Sequence, residues 1–172
     1  MAGGRLIAER GVAQVSVEDI LAAADISRRT FYSYFGNKYE LVAGLINPAL
    51  AAGADMLKAL AEQPADTLLP GIVDCYRRLW DLHSDGLTVI AALDPAVMPY
   101  IENHHRKFGS ALKRALTRAE RAGLLRNNDA AYSFRVISRT AVPLLKIYAD
   151  HPNGSALYRD AMLALLSEKS EL

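Results

Sequence analysis

Only one cysteine, Cys75, occurs in the 172 residues, which excludes an intrachain disulfide and a zinc site built from several thiolates of one chain. No uninterrupted apolar run approaches the roughly 18 residues of a membrane-spanning helix, although 51% of the residues are hydrophobic. The apolar content therefore belongs to a protein core, and no membrane is expected as a partner. The first ten residues lack the long apolar stretch and small-residue cleavage site of a secretory signal, so the expected address is cytoplasmic. A net charge of +1 excludes a protein that coats nucleic acid by bulk charge and leaves room only for a local basic patch. Glycine and proline fall singly rather than in a linker, and no internal repeat is present.

Enzyme signatures are missing as well. There is no Gly-rich phosphate loop, no nucleophile elbow, and no zinc-binding histidine pair with an acid in helical register. His104 and His105 come nearest, but adjacent helix residues point about 100° apart and are poorly placed to bind one metal ion. No catalytic residue, metal ligand or cofactor is expected.

What is present is helical almost throughout. Ala, Leu and Arg dominate, and alternating β-branched patterns are missing, which predicts an all-α fold. Residues 5–10 read as a helix end stopped by Gly11. Val17–Ala24 and Arg28–Tyr34 are short helices, and Lys38 opens a fourth. Beyond Pro48 longer helices are predicted over residues 49–62, 67–83, 96–122, 129–149 and 155–167. A boundary near Asn47-Pro48 separates a trihelical head, residues 1–47, from a larger helical body, residues 48–172.

In the head, Ser16-Val17-Glu18-Asp19 supplies a side-chain cap and acids in a first helical turn. Val17, Ile20, Leu21 and Ala24 make one apolar face. After the Asp25-Ile26 turn, Ser27 caps the next helix, whose Phe31 and Phe35 form an i, i+4 anchor. A 100° step per residue then sets Arg29 and Ser33 opposite Phe31, with Arg28 and Tyr32 on one flank and Thr30 on the other. Cations in a first turn oppose the helix dipole, so Arg28 and Arg29 call for an external partner. Phosphates and guanine edges suit arginine's planar fork. No acid occurs from Ile26 to Lys38, so the positive charge is concentrated on that helix.

Ser16-Val17-Glu18-Asp19-Ile20, Ala24-Asp25-Ile26-Ser27 and above all Thr30-Phe31-Tyr32-Ser33-Tyr34-Phe35-Gly36-Asn37-Lys38-Tyr39-Glu40-Leu41 together resemble the signature of the TetR family of bacterial regulators. The resemblance covers roughly the first quarter of the chain, and the helical remainder has the size and class that the family carries. It implies that Ser27, Arg28, Arg29, Thr30, Tyr32 and Tyr34 form the face turned to double-stranded operator DNA. Lys38, at the start of the fourth helix, would clamp a phosphate. Two departures stand out. Asp25 occupies a turn position where the family usually has glycine, and aspartate tolerates a left-handed backbone better than most residues. Family members also usually carry a further turn or more of helix, often with a basic arm, ahead of the residues matching 5–11; here Gly3-Gly4 reads as a break that shortens the first helix.

In the body, the helix from Ala96 carries Val97, Ile101, His104, Phe108, Ala111, Leu112, Ala115 and Ala119 in one stripe. Arg106, Lys107, Lys113, Arg114, Arg118 and Arg121 occupy the rest, as a solvated face or a second DNA surface. Ile72, Tyr76, Leu79 and His83 share one side of the helix before it, with Trp80 adjoining, a composition that suits a core or a pocket. TetR-like bodies typically enclose a small-molecule inducer among these helices. The resemblance thus selects Tyr76, Trp80, His83, Tyr100, His104 and Phe108 as candidate ligand contacts. The last two helices are apolar on more than one face, through Tyr132, Phe134, Val136, Ile137, Val142, Leu144, Leu145, Ile147 and Tyr148, then Leu157, Tyr158, Met162, Leu163, Leu165 and Leu166. They predict a homodimer through a four-helix contact, the alternative being an internal core. The expected function is a repressor released from a palindromic operator by a small molecule. The rival is an adaptor of the same fold that no longer binds DNA, a reading motivated by the shortened first helix.

Overall fold

In the computed structural model, which describes residues 2–91 and 94–167, the first helix α1 spans Ala2–Arg10. Gly3 and Gly4 therefore lie inside it, which corrects the expected break. Both are buried, and a Cβ placed on either would stand 3.0 Å from Ile20 or Leu45 side-chain atoms. The glycines let α1 lie close to its neighbours, and packing outweighs their low intrinsic helix propensity. A short 3-10 turn, Val12–Gln14, leads to α2, Val17–Ala24, and α3, Arg28–Tyr34.

The fourth helix, α4, spans Lys38–Leu60 without interruption. Asn47-Pro48 thus falls within a helix, contrary to the two separate helices expected there. Pro48 removes one backbone donor, the partner of the Gly44 carbonyl four residues earlier. Both residues are exposed, so solvent can serve that carbonyl. By length and composition alone α4 is apolar enough to cross a membrane, yet Leu41, Val42, Ile46, Leu50 and Leu57 along it are buried in protein. It runs from the core of the head into the core of the body.

Helix α5 spans Leu68–Ala91 with non-helical angles at His83 (φ −143°, ψ 34°). The predicted end at His83 is instead a kink, beyond which the helix resumes. Gly86 explains where the second limb goes: a Cβ there would stand 2.3 Å from the Leu45 carbonyl oxygen, so only glycine permits this approach to α4. A 3-10 turn, Pro95–Val97, capped by Asp94, precedes α6, Met98–Arg121. Helices α7, Ala130–Tyr148, and α8, Gly154–Leu166, complete the order.

Two apolar cores result. The larger joins α4 to α8 through Leu57, Leu68, Ile72, Leu79, Leu112, Leu116, Ile137, Tyr158 and Met162. The smaller gathers Ile7, Ile20, Phe31, Val42 and Ile46 of the head with Val89, Val97 and Ile101. Body residues thus complete the head's core, and the head is seated on the body rather than hung from a linker. Among the described residues the fold is all helical apart from the single bridge Leu125–Ser167.

Candidate nucleic-acid interface and body surfaces

The helix-turn-helix is built from local caps. Ser16 Oγ accepts from the Asp19 amide (3.1 Å), while the Ser16 amide donates to Asp19 Oδ2 (2.8 Å). The Ser16 hydroxyl also donates to Asp19 Oδ2 (2.6 Å), and this bond first, then the one from the Ser16 amide, holds the Asp19 carboxyl below its ordinary value. Asp25 closes α2 in the left-handed conformation (φ 50°, ψ 47°), as its tolerance for that region predicts. Ser27 Oγ then accepts from the Thr30 amide (3.0 Å) to start α3.

On α3 one side chain is buried. Phe31 is in edge contact with the Tyr32 ring at 5.2 Å and lies 5.6 Å from the Phe35 ring, and it anchors the helix to the head core. Ser27, Arg28, Arg29, Thr30, Tyr32, Ser33 and Tyr34 are exposed, with Tyr34 at 78%. Large rings left in solvent and an arginine pair on a single face make a surface suited to phosphates and base edges. The arginines differ. Arg28 pairs with Glu18 of α2, a contact the sequence reading missed because it joins side chains ten residues apart. Arg29 makes no ion pair among the described residues.

Lys38 sits differently from the others. Its Nζ donates to the carbonyls of Val12 and Val15, each at 2.9 Å, and lies 5.5 Å from the Tyr39 ring centre. It ties α4 to the turn before α2. Asn37 caps α4, accepting from the Tyr39 and Glu40 amides (2.9 and 3.0 Å), and its Nδ2 donates to the Tyr100 hydroxyl (3.1 Å). Tyr100 also stacks on Tyr39, with centroids 6.3 Å apart, and its carbonyl accepts from Asn47 Nδ2 (3.2 Å). Tyr100 is therefore a joint between head and body. An asparagine ahead of a helix was a readable cap signal; its pairing with a residue 63 positions away was not.

The other candidate ligand contacts do not converge on one place. Tyr76 is buried and meets Phe108 edge-on at 5.8 Å, and Gly53 makes room for the Phe108 ring, which a Cβ would approach to 2.5 Å. Burial raises the Tyr76 hydroxyl pKa well above its ordinary value and pushes the neighbouring Cys75 thiol up to about 12. Trp80 lines a groove of about 270 Å³ with Arg77, Asp81, Tyr148, His151 and Tyr158. His83 is at the α5 kink and His104 is half-buried on α6. Of the six, Tyr76 and Phe108 are the pair whose rings meet each other among the described residues.

On α7 and α8 the predicted dimer residues divide. Ile137, Leu145, Tyr158, Met162 and Leu166 are buried within the chain, so that part of the apolar surface is internal core. Tyr132, Ile147 and Leu165 remain exposed, Ile147 at 69%, and Val136, Leu144 and Leu163 are half-buried.

Residues 2–45 match the family model described as bacterial regulatory proteins, tetR family. The HTH-type transcriptional regulator EthR of Mycobacterium tuberculosis is 40% identical over 62 residues, which is 36% of this chain and 29% of EthR. The matched stretch thus spans less than a third of that relative. The ketosteroid transcriptional regulator KstR2 of Mycobacterium tuberculosis superposes with a TM-score of 0.75 at 19% identity, covering 98% of this chain and 92% of KstR2. SmeT, the repressor of a Stenotrophomonas maltophilia multidrug efflux pump, matches in its triclosan complex with a TM-score of 0.66 at 20% identity, over 98% of this chain and 90% of SmeT. At these identities the two structures establish a shared fold.

Proposed function

From the match of residues 2–45 to the tetR family model and the fold that the chain shares with such regulators, we propose that it is a TetR-family regulator, a homodimeric operator-binding repressor released by a small molecule. The observation that carries this reading is α3, a helix anchored by one buried phenylalanine with two arginines and two tyrosines presented outward. Ser27, Arg28, Arg29, Thr30, Tyr32 and Tyr34 make the DNA face, and Arg29 carries most of the base reading because no acid occupies it. Lys38 supports that face by fixing the start of α4, with its remaining N–H available to a phosphate. The protein acts in the cytoplasm, where its operator is.

Two copies join through the outer faces of α7 and α8, where Tyr132, Ile147 and Leu165 would otherwise stay wet. Two-fold symmetry then spaces paired α3 helices on a palindrome by about one helical turn of DNA or a multiple of it. The ligand is received in the body beside Tyr76 and Phe108, where α5 and α6 meet α4. That SmeT has been captured with triclosan supports ligand reception by a body of this fold. The rival adaptor reading was motivated by a shortened first helix, and it loses one support because α1 runs through Gly3 and Gly4.

The test is a gel-shift titration of the chain against DNA from its own promoter region at two salt concentrations. Salt-sensitive binding that prefers a palindromic site is the expected result. Absence of any sequence preference would overturn the repressor reading in favour of the adaptor.

A further inference from the structure

Between the C-terminal half of α4 and the middle of α6 lies an open groove of about 480 Å³, lined by Ala54, Asp55, Lys58, Arg106, Lys107, Ser110, Ala111 and Arg114. Four cations there face a single carboxylate, in a chain whose net charge is only +1. The helical period explains the assembly. Arg106, Ser110 and Arg114 recur every four residues along one flank of α6, with Lys107 and Ala111, also four apart, on the strip beside it. On α4, Ala54 and Lys58 are one turn apart. Ala54 and Ala111 keep the floor shallow and apolar.

These cations are little engaged within the chain. Lys58, Lys107 and Arg114 make no ion pair or side-chain hydrogen bond among the described residues, and Arg106 reaches only Glu102 at 3.9 Å and Asn103 at 3.3 Å. Other arginines of the body differ: Arg77 holds Asp81, Arg159 holds Asp74, and Arg118 donates to the carbonyls of Ala61 and Gln63 just beyond α4, while Arg78, Arg121, Arg135 and Arg139 make no ion pair among the described residues but do not share a groove with three further cations. Because Arg118 already serves those carbonyls, Lys58 is not needed there. The groove is also far from the DNA face: Lys58 is 20 residues along α4 from Lys38, about 30 Å at the helical rise.

We infer that this groove is a binding site for a small organic anion, one carboxylate or phosphate group held by Arg106, Lys107, Arg114 and Lys58 with a short apolar body on Ala54 and Ala111. Arginine forks match the oxygens of either group, and about 480 Å³ is room for a ring-sized ligand. Such an anion would bridge α4 to α6 and bear on the helix that enters the head. That last step alone rests on the repressor reading; binding itself does not.

Isothermal titration of the full chain with phenyl phosphate, benzoate and uncharged phenol, at fixed ionic strength and without DNA, tests the inference. Saturable binding of one or both anions at one site per chain is expected, with phenol at least tenfold weaker. Arg106→Gln/Arg114→Gln, at exposed positions, should weaken the anion at least tenfold while leaving the thermal unfolding midpoint in place; Lys113→Gln on the neighbouring flank should not. Failure of both anions to bind, or binding unaltered in the double variant, overturns the site. If small anions fail and the double variant instead loses affinity for random-sequence DNA, the groove is a nucleic-acid surface and the inference is wrong. Either result is independent of operator preference in the gel shift.

Discussion

Helices α3 and α7 both carry aromatic residues into solvent, yet they are held in place in different ways. On α3 only Phe31 is buried, and the helix depends on the Ser27 cap and on the turn at Asp25. Its outer residues are charged or hydroxyl-bearing and can stay in water without a partner. On α7 a full line of Ser133, Ile137, Ala141 and Leu145 is buried, while Tyr132 and Ile147 still stand 57% and 69% exposed. Arg135 lies over the Tyr132 ring at 5.1 Å, which shields one ring face, but nothing comparable covers Ile147 among the described residues. Exposure on α3 leaves charged and hydroxyl groups in water, where they are solvated at little cost. Exposure on α7 leaves apolar area in water, where it costs roughly 25 cal/mol per Å² until something covers it.

The comparison breaks first where the two regions are joined. Gly86→Val drives a side chain into the Leu45 carbonyl oxygen, a clash with backbone that cannot swing aside. We expect a loss of about 3 kcal/mol in urea unfolding, with the head loosened because Val89 and Ile101 are part of its core. Gly44→Ala is the control, since a Cβ there meets only the Phe35 ring at 3.7 Å. Stability retained in Gly86→Val would show that the second limb of α5 is not seated on α4. Next, Ile147→Glu places a charge on the outer face of α7. It should halve the mass seen by light scattering and, by uncoupling the two α3 helices, reduce operator affinity at least tenfold. An unchanged mass would remove α7 from the interface. Smaller again is Arg29→Ala, expected to cost roughly 1 to 3 kcal/mol of operator binding and to relax base preference. If operator affinity stays intact, the contact face of α3 is misassigned.

Legibility in the sequence followed the range of the interactions. The cap at Ser16, the cap at Ser27 and the Phe31 anchor all act within four residues and were readable from spacing; the left-handed Asp25 was readable from the family resemblance, which puts glycine there. The starts of α4 and α5 were readable too, but their continuity through Pro48 and His83 was not. Pro48 and His83 look like stops because local rules favour breaking there, but burial of Ile46, Leu50 and Leu57 on one side and of Leu87 and Val89 on the other carries each helix onward. Gly3-Gly4 misled for the same reason: glycine lowers local helix propensity, and only the tertiary approach of Ile20 and Leu45 shows its use. The division of α7 and α8 into internal core and outer face, and the meeting of Asn37 with Tyr100, depend on three-dimensional neighbours that periodicity does not name.

Lys38 is where the short-range and long-range accounts meet, and it provides the finest test. As a phosphate clamp it would contribute only when DNA is present. Its two hydrogen bonds to the Val12 and Val15 carbonyls give it a second role in the free protein, because a charged donor to a backbone acceptor is worth about 1.5 kcal/mol or more when partly buried. Lys38→Met keeps the aliphatic stem against Tyr39 and removes the charge. We expect it to lower unfolding stability by about 1.5 kcal/mol and also to flatten the salt dependence of DNA binding by about one unit. Stability lost with the salt slope unchanged would assign Lys38 wholly to the scaffold of the head. A flattened slope at full stability would mean that the carbonyl contacts add nothing measurable to the free protein, the head being held by its apolar core with Val89 and Ile101 and by the Asn37–Tyr100 and Tyr39–Tyr100 contacts.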